Sequence, residues 1–198
     1  MARKPALLML DLINDIVHPE GKYGRDGYAR HLARRGVLEN AALALETARN
    51  QGIPVIHVVV GFTAGYPEWP AGSPVFHSAK DDGRILLGTW ATRPHDAVKP
   101  ADGEPVIAKH RISPFYGTGL DLTLRAQGID TLLLTGVSTD MVILATARDG
   151  HDRDYAVEVL EDATGADGDE MHAAALTVIG RTARITTVGE ALAPGSAR

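Results

Sequence analysis

The stretch LLLTGVSTDMVILATARDG, residues 132–150, decides the predicted fold of this chain. It opens with a short apolar run, which is typical of a strand buried on both faces, and continues with the composition of a helix. Gly136 lies between the two parts, where a tight turn is expected. A buried strand that leads through a short turn into a helix indicates a βαβ unit, in which the strands run parallel.

The same alternation of short apolar runs and helix-length amphipathic segments continues on both sides of this stretch. It predicts an α/β fold, in which helices cover both faces of a parallel sheet. The predicted strands are Ala6–Leu12, Pro54–Val60, Pro105–Ala108, Thr131–Thr135, Ala156–Leu160 and Arg184–Thr187. The predicted helices are Val37–Gln51, Leu120–Gln127, Asp140–Arg148 and Asp169–Ile179.

Two parts of the chain depart from this alternation. Residues 61–100 mix Gly, Pro, Ser and aromatic residues without a long helical period, so we expect a lid or a pocket wall there. Residues 193–198 (APGSAR) are expected to form a frayed tail. Residues 1–198 have the length of one globular domain, and a second full domain is not expected.

The composition limits the classes of function. Acidic and basic residues are interspersed, the net charge is -5, and no basic stripe indicates a nucleic-acid partner. The apolar stretch before Asp11 has only about six residues, which is too short for a signal-peptide core or a membrane span. The chain contains no cysteine, which excludes disulfides, thiolate zinc sites and thiol nucleophiles. We therefore expect a cytoplasmic protein that binds neither nucleic acid nor membranes.

Asp11 is the first candidate for chemistry, because ligands of open parallel sheets bind beyond the carboxyl ends of the strands. It follows four apolar residues of the first predicted strand and is expected at the edge of the buried sheet. Partial desolvation there raises the pKa of a carboxyl group and suits it to general acid or base catalysis. The alternative is that Asp11 caps the next segment or pairs with a neighbouring base.

Lys109 follows the third predicted strand and is the second candidate. An ammonium group beside Asp11 would favour the carboxylate and partly reverse the pKa shift, which leaves the protonation state of the pair open. The alternative is a lysine that faces solvent, followed by His110 and Arg111.

The third candidate is the turn from Gly136 to Asp140, where the predicted helix begins. Free backbone N–H groups at a helix start can bind an anion or a developing oxyanion, and the first turn here contains Met141 and Val142. For the hydroxyl groups of Ser138 and Thr139, we favour the alternative that one of them is the N-cap of the helix.

Taken together, three motifs resemble the isochorismatase-like superfamily, which includes nicotinamidases, other cysteine amidohydrolases and isochorismatase. They are DLINDI at 11–16, AKHRISPFYGTGL at 108–120 and LLLTGVSTDMVILATARD at 132–149, and the resemblance spans nearly the whole chain. It implies a three-layer αβα sandwich, Rossmann-like, with a six-stranded and mostly parallel sheet. It also implies a cis peptide bond between Val137 and Ser138 and a homodimer or homotetramer.

In the amidohydrolase members, the resemblance implies a triad of Asp, Lys and Cys. Asp11 and Lys109 match the first two members of the triad. The family's pattern of Gly, three residues, Asp, one residue and Cys aligns onto Gly136, Asp140 and Val142. Valine has no lone pair and no ionisable proton, so acyl transfer to the protein at this position is excluded.

Members without the cysteine, including the isochorismatases, use the aspartate to protonate a vinyl ether, and water then attacks the oxocarbenium ion. By this resemblance Asp11 would supply the acid, and Lys109 would orient a substrate carboxylate or Asp11 itself. The isochorismatase turn carries Tyr, Ala and His where this chain has Ser138, Thr139 and Asp140, so isochorismate is not assigned as the substrate.

The resemblance also bears on metals, since nicotinamidases carry an Asp and His pair at the end of the second strand. Residues 61–64 read GFTA at that place, and we predict no catalytic metal and no cofactor. Trp90 of the long segment is a candidate to contact a ring-shaped substrate, with Phe115 and Tyr116 on the other side. For each of these rings, we favour the alternative that it packs against other side chains of the protein.

These features predict a cofactor-independent hydrolase that acts on a small polar or carboxylated metabolite through Asp11 and Lys109. One alternative is an inert relative that keeps the pocket to bind a metabolite or keeps the fold as an oligomer subunit. Another alternative is a lyase or isomerase, because an Asp and Lys pair can move a proton without water.

Overall fold

A six-stranded, entirely parallel sheet forms the centre of the computed structural model, which describes residues 3–193. The strands are β1 (Pro5–Leu10), β2 (Val55–Val60), β3 (Val106–Lys109), β4 (Thr131–Val137), β5 (Ala156–Gly165) and β6 (Arg184–Thr186). Their order across the sheet is β3-β2-β1-β4-β5-β6. All six predicted strands are therefore confirmed, although β5 continues five residues past the predicted end at Leu160.

Helices cover both faces of the sheet. The helices are α1 (Asn14–Val17), α2 (Tyr28–Arg34), α3 (Val37–Asn50), α4 (Leu120–Ala126), α5 (Leu144–His151), α6 (Asp169–Ile179) and α7 (Val188–Ala191). Buried residues of α2, α3 and α7 share one hydrophobic cluster, and those of α4, α5 and α6 share another on the opposite face. This arrangement confirms the predicted three-layer αβα sandwich.

Strand β1 shows why the sheet lies at the centre of the fold. Leu8 and Leu10 pack into the cluster of α4, α5 and α6, whereas Leu7 and Met9 pack into the cluster of α2, α3 and α7. Successive side chains of a strand point to opposite faces, so a strand covered on both sides must be apolar throughout. Pairing with β2 on one side and β4 on the other fixes the position of Asp11 just beyond the sheet.

The turn after β4 differs from the helix predicted over Asp140–Arg148. Residues Thr139–Ile143 form one wide π-helical turn, and α5 continues from it to His151. The carbonyl oxygen of Ser138 accepts hydrogen bonds from the N–H groups of both Val142 and Ile143, at 2.9 and 3.0 Å, which accounts for the widening. The Val137–Ser138 peptide bond is cis, as the resemblance implies.

Gly136 permits the close approach of β4 to β1. Its φ is +117°, and a Cβ atom at this position would lie 2.0 Å from the carbonyl oxygen of Leu10. Only glycine can occupy such a position without displacing the backbone of β1. The turn that follows is thereby held against the end of β1.

Residues 61–100 contain only single-turn helices and isolated β-bridges, and they pack over the carboxyl ends of β1 and β2. Phe62, Phe76 and Ile85 form a third hydrophobic cluster with Ile13. Within residues 3–193, no helix is long and apolar enough to cross a membrane. Of the predicted tail, residues 194–198 lie outside the described residues.

Candidate active site

The candidate site lies where the order of the strands reverses. From β1 the chain proceeds to β2 and β3 on one side, and later to β4, β5 and β6 on the other. Such a switch point leaves a crevice at the carboxyl edge of a parallel sheet. Asp11 follows β1, Lys109 ends β3 and Ser138 follows β4, so the three candidates of the sequence analysis meet at this edge.

Asp11 and Lys109 form a buried ion pair. The Nζ atom of Lys109 lies 2.7 Å from Oδ2 of Asp11, and each residue is 1% exposed. Strand β2 separates β3 from β1, so the lysine side chain passes the end of β2 to reach the carboxylate. Lys109 Nζ also donates to the carbonyl oxygen of Arg111 at 3.1 Å, which fixes the ammonium group in place.

Burial raises the pKa of Asp11 above its ordinary value of 3.8. The charge and hydrogen bond of Lys109, and the backbone N–H of Val60, oppose this shift without cancelling it. Lys109 holds Oδ2, whereas Oδ1 has no hydrogen-bond partner within residues 3–193. The carboxyl group therefore keeps one oxygen free for proton exchange and retains a proton to a higher pH than an exposed aspartate.

The turn after β4 offers backbone donors. The N–H groups of Val142 and Ile143 donate to the carbonyl oxygen of Ser138. The three preceding N–H groups, from Thr139 to Met141, have no partner within the helix. Ser138 occupies the N-cap position, which the sequence analysis favoured for one of the two hydroxyl residues, but its side chain makes no capping hydrogen bond. The hydroxyl of Thr139 lies instead 2.8 Å from Nδ1 of His172 and is fully buried.

A cavity of about 400 Å³ opens above these groups. Asp11, Lys109 and Val142 line it together with Ser138 and Met141 from the turn. The long segment contributes Val75, Phe76 and Ile85 to its wall. Val142 has no atom that could form a covalent intermediate, so the candidate acid–base group of the cavity is the Asp11 carboxyl group, which Lys109 holds.

The cavity is rich in carboxyl groups. Besides Asp11, it is lined by Asp26, Asp140 and Asp167, and among the described lining residues only Lys109 is cationic. Tyr28 lies among these acids and donates a hydrogen bond to the carbonyl oxygen of Gly165 at 3.2 Å. Burial, and then the charges of Asp140, Asp167 and Asp11, raise the pKa of Tyr28, so its phenol is neutral.

Three lining residues, Tyr28, Asp26 and Asp167, were not predicted from the sequence. Tyr28 begins α2, a seven-residue helix that was not predicted, and Asp26 ends the single helical turn before it. Asp167 lies two residues beyond Gly165, the true end of β5, and the same search of strand ends would have found it with the correct boundary.

Four of the residues predicted to contact substrate do not line this cavity. The side chain of Thr139 is turned to His172. Phe115 is buried in the core and stacks on Tyr155 at 6.1 Å between ring centroids, which leaves no face for a substrate. Tyr116 is 67% exposed and lines a separate depression, and Trp90 is 42% exposed with its ring against His18.

Metal-ligating side chains are scattered in the part of the chain that the structure describes. Within residues 3–193, no group of three His, Cys, Asp or Glu residues is arranged to hold a metal ion. His57, inside β2, is bonded through Nε2 to Glu104 at 2.9 Å and belongs to the core.

A parallel αβα sandwich with a buried acid–base pair at its switch point defines a class of small-molecule enzyme scaffolds. The Isochorismatase domain family matches residues 5–190. The chain therefore belongs to the isochorismatase family.

Individual relatives agree with this assignment. The ureidoacrylate amidohydrolase RutB of Methylobacterium radiotolerans is 36% identical over 187 residues, which cover 87% of this chain and 72% of that protein. The chain spans 56% of the length of three further relatives of that name.

Among solved structures, an isochorismatase family protein from Desulfovibrio vulgaris is 29% identical with a TM-score of 0.84, covering 96% of both chains. N-carbamoylsarcosine amidase from Thermoplasma acidophilum is 30% identical with a TM-score of 0.73, covering 94% of this chain and 98% of that one. The names of the ureidoacrylate amidohydrolase and of the amidase describe hydrolases.

Proposed function

We propose that this isochorismatase-family hydrolase acts on a small polar metabolite through general acid–base catalysis by Asp11, with water as the nucleophile. The observation that carries the proposal is the buried ion pair of Asp11 and Lys109, 2.7 Å apart, in which Oδ1 of Asp11 stays unpartnered within residues 3–193. Both residues line the same cavity as Val142.

The roles follow from the contacts of each group. A protonated Asp11 donates its proton to the substrate, water attacks the electrophilic centre so formed, and the proton released by that water restores the acid. The adduct then breaks its bond to the leaving group, which takes a proton from the adduct's own hydroxyl group and departs as a neutral amine or alcohol. Lys109 is a positioning residue that holds Oδ2, which leaves Oδ1 without a partner within residues 3–193. The N–H groups of Asp140 and Met141, two residues that line the cavity, bind a polar acceptor of the substrate.

Val142 excludes a covalent acyl intermediate at its position, which separates the proposed mechanism from that of cysteine-dependent relatives. Two of the named relatives act on ureidoacrylate and N-carbamoylsarcosine. Ureido and carbamoyl compounds are therefore the first substrates to test, followed by vinyl ethers.

We further propose a cytoplasmic homodimer or homotetramer that uses no cofactor and binds neither nucleic acid nor membranes. The modest net charge of -5 supports the absence of a nucleic-acid partner. Exposed apolar side chains such as Leu122, at 75%, are candidates for burial between subunits. Light scattering of the purified protein tests the oligomer.

Substitution Asp11→Asn tests the acid–base role. Once a substrate is found in such a panel, we expect kcat to fall by about 10²–10⁴-fold, because the amide cannot exchange the proton. Circular dichroism and thermal unfolding must show that the variant is folded. Unchanged turnover by a folded Asp11→Asn variant would refute the role of Asp11.

The same assay in ¹⁸O-labelled water separates hydrolysis from the other reactions. Hydrolysis places the labelled oxygen in a product, whereas neither the two products of an elimination nor the single product of an isomerisation carries the label. Unlabelled products would favour a lyase or isomerase, and a panel without turnover would favour the inert relative.

A further inference from the structure

We infer that Asp140 and Asp167, together with Tyr28, form a subsite for a cationic group of the substrate, such as an ammonium or amidinium group. These three residues, which we call the acidic wall, line the cavity that also contains Asp11. The inference rests on the proposed function in that it takes this cavity to be the substrate cavity. It replaces the expectation of a carboxylated metabolite.

The first observation is the balance of charge around the cavity. Asp11 is paired with Lys109, and Asp26 is paired with Arg84 at 3.4 Å. Asp140 and Asp167 form no ion pair within residues 3–193, although both lie close enough to the Tyr28 hydroxyl to raise its pKa. The acidic wall therefore carries two uncompensated negative charges.

The second observation is that two buried carboxyl oxygens of lining residues have no hydrogen-bond partner in residues 3–193. They are Oδ1 of Asp11, whose side chain is 2% exposed, and Oδ1 of Asp140. A buried oxygen without a partner is costly, and nearly all such oxygens in proteins are satisfied by a donor. Both atoms indicate a ligand that presents N–H or O–H groups to this cavity.

A carboxylated ligand fits these surroundings poorly. Lys109, the one cationic side chain among the described lining residues, already neutralises Asp11. A second anion would lie beside Asp140 and Asp167, where like charges repel in a partly desolvated space. An ammonium group would instead gain two partners there.

The opposite end of the ligand is expected to be polar and neutral. The N–H groups of Asp140 and Met141 have no partner within the helix and can bind an acceptor, and Oδ1 of Asp11 has no partner within residues 3–193. An amide or ureido group supplies both a donor and an acceptor. The substrate class is thus a short molecule with an amide-like end and a cationic end.

Three probes that differ only in one end group test this inference. γ-Aminobutyramide carries an ammonium group, valeramide a methyl group and glutaramate a carboxylate at the end of the same three-methylene amide. Calorimetry measures their binding, so the result does not depend on turnover or on the role of Asp11 in catalysis. We expect γ-aminobutyramide to bind about tenfold more tightly than valeramide, and glutaramate to bind most weakly.

Variants assign the preference to the acidic wall. We expect Asp140→Asn and Asp167→Asn each to weaken the binding of γ-aminobutyramide several-fold. The binding of valeramide should be unchanged in both variants. Asp167 is exposed, so its substitution tests the charge even if Asp140→Asn disturbs the start of the helix. Asp102→Asn removes one exposed charge at the other edge of the sheet and is the matched control.

Equal binding of the three probes, tighter binding of glutaramate, or no saturable binding of γ-aminobutyramide up to the millimolar range would each overturn the inference. So would an equal effect of Asp102→Asn and Asp167→Asn. Failure of the proposed function would appear elsewhere, as turnover that survives Asp11→Asn.

Discussion

Asp11 and Lys109 depend on each other because both are almost completely buried. A buried charge without a partner is strongly destabilising, whereas a pair at 2.7 Å recovers much of the desolvation cost. The pair is therefore a structural element of the site as well as its proposed chemistry. The contribution of the pair to stability can be measured apart from its role in catalysis, through the dependence of the free energy of unfolding on pH.

Substitution Lys109→Met is expected to lower the free energy of unfolding by about 3–5 kcal/mol at neutral pH, because the Asp11 carboxylate loses its partner. Without Lys109, the main influence that opposes burial is removed, and the pKa of Asp11 rises further above 3.8. A folded-state pKa above the unfolded value means that the native state binds the proton more tightly. Stability lost at neutral pH should therefore return as pH falls through the raised pKa, as measured by urea unfolding at a series of pH values.

The double variant Asp11→Asn with Lys109→Met is the control for this experiment. It has no carboxyl group to titrate, so its stability should not recover on acidification relative to the wild type. Recovery of equal size in the double variant would mean that Asp11 is not the titrating group.

Single residues differ in how well the sequence predicts their place in the site. Asp11 and Lys109 were predictable because each directly follows an apolar strand, and the ends of parallel strands share one edge. Phe115 and Trp90 were not, because an aromatic ring has the same signal in a core, on a surface or in a cavity. Whether a ring lies in the core, on the surface or in a cavity depends on long-range packing. Such packing places Phe115 against Tyr155.

At the scale of elements, the long segment of residues 61–100 is tied to α1 by one buried carboxylate. Asp15, which is 2% exposed, accepts hydrogen bonds from the backbone N–H groups of Lys22 at 2.8 Å and Ile85 at 2.7 Å. Ile85 lines the cavity, so this attachment positions part of its wall.

Substitution Asp15→Ala is expected to reduce the free energy of unfolding by about 2–4 kcal/mol, because two backbone N–H groups lose their acceptor. Asp15→Asn keeps one acceptor oxygen and should have an intermediate effect. Limited proteolysis should cleave the long segment faster in Asp15→Ala, and KM should rise more than kcat falls. Asp82→Ala is the control, because it removes an exposed partner of Arg84 on the same segment. It should change neither the rate of cleavage nor KM.

The regular elements followed from apolar runs and helical periodicity, and the errors lie where charge interrupts a run. The predicted strand β5 ends at Leu160, immediately before Glu161 and Asp162, whereas the observed strand continues to Gly165. Both acidic side chains are only partly exposed at the surface of the sheet, and Asp162 accepts a hydrogen bond from the Val188 N–H. Tertiary partners of this kind leave no local signal in the sequence.

At the scale of the whole molecule, the buried His172 connects α6 and Arg35 to the turn of the candidate site. Nε2 of His172, on α6, lies 2.9 Å from Arg35, and Nδ1 lies 2.8 Å from the hydroxyl of Thr139. Because arginine can only donate, Nε2 must accept, and the neutral ring donates through Nδ1 to Thr139. The turn after β4 is thus held by a histidine that has to remain neutral.

Acidification should therefore destabilise the protein as a whole. Burial lowers the pKa of His57 and of His172 below 6.5, so the unfolded chain takes up these two protons at a higher pH than the native protein. The free energy of unfolding is expected to fall by on the order of 1 kcal/mol per histidine as pH drops below about 6.5. Denaturant unfolding between neutral and mildly acidic pH measures this loss, which His172→Gln should reduce and the exposed-site variant His77→Gln should not. A stability that stays constant over this range, or an equal change in the two variants, would contradict the requirement for neutral buried histidines.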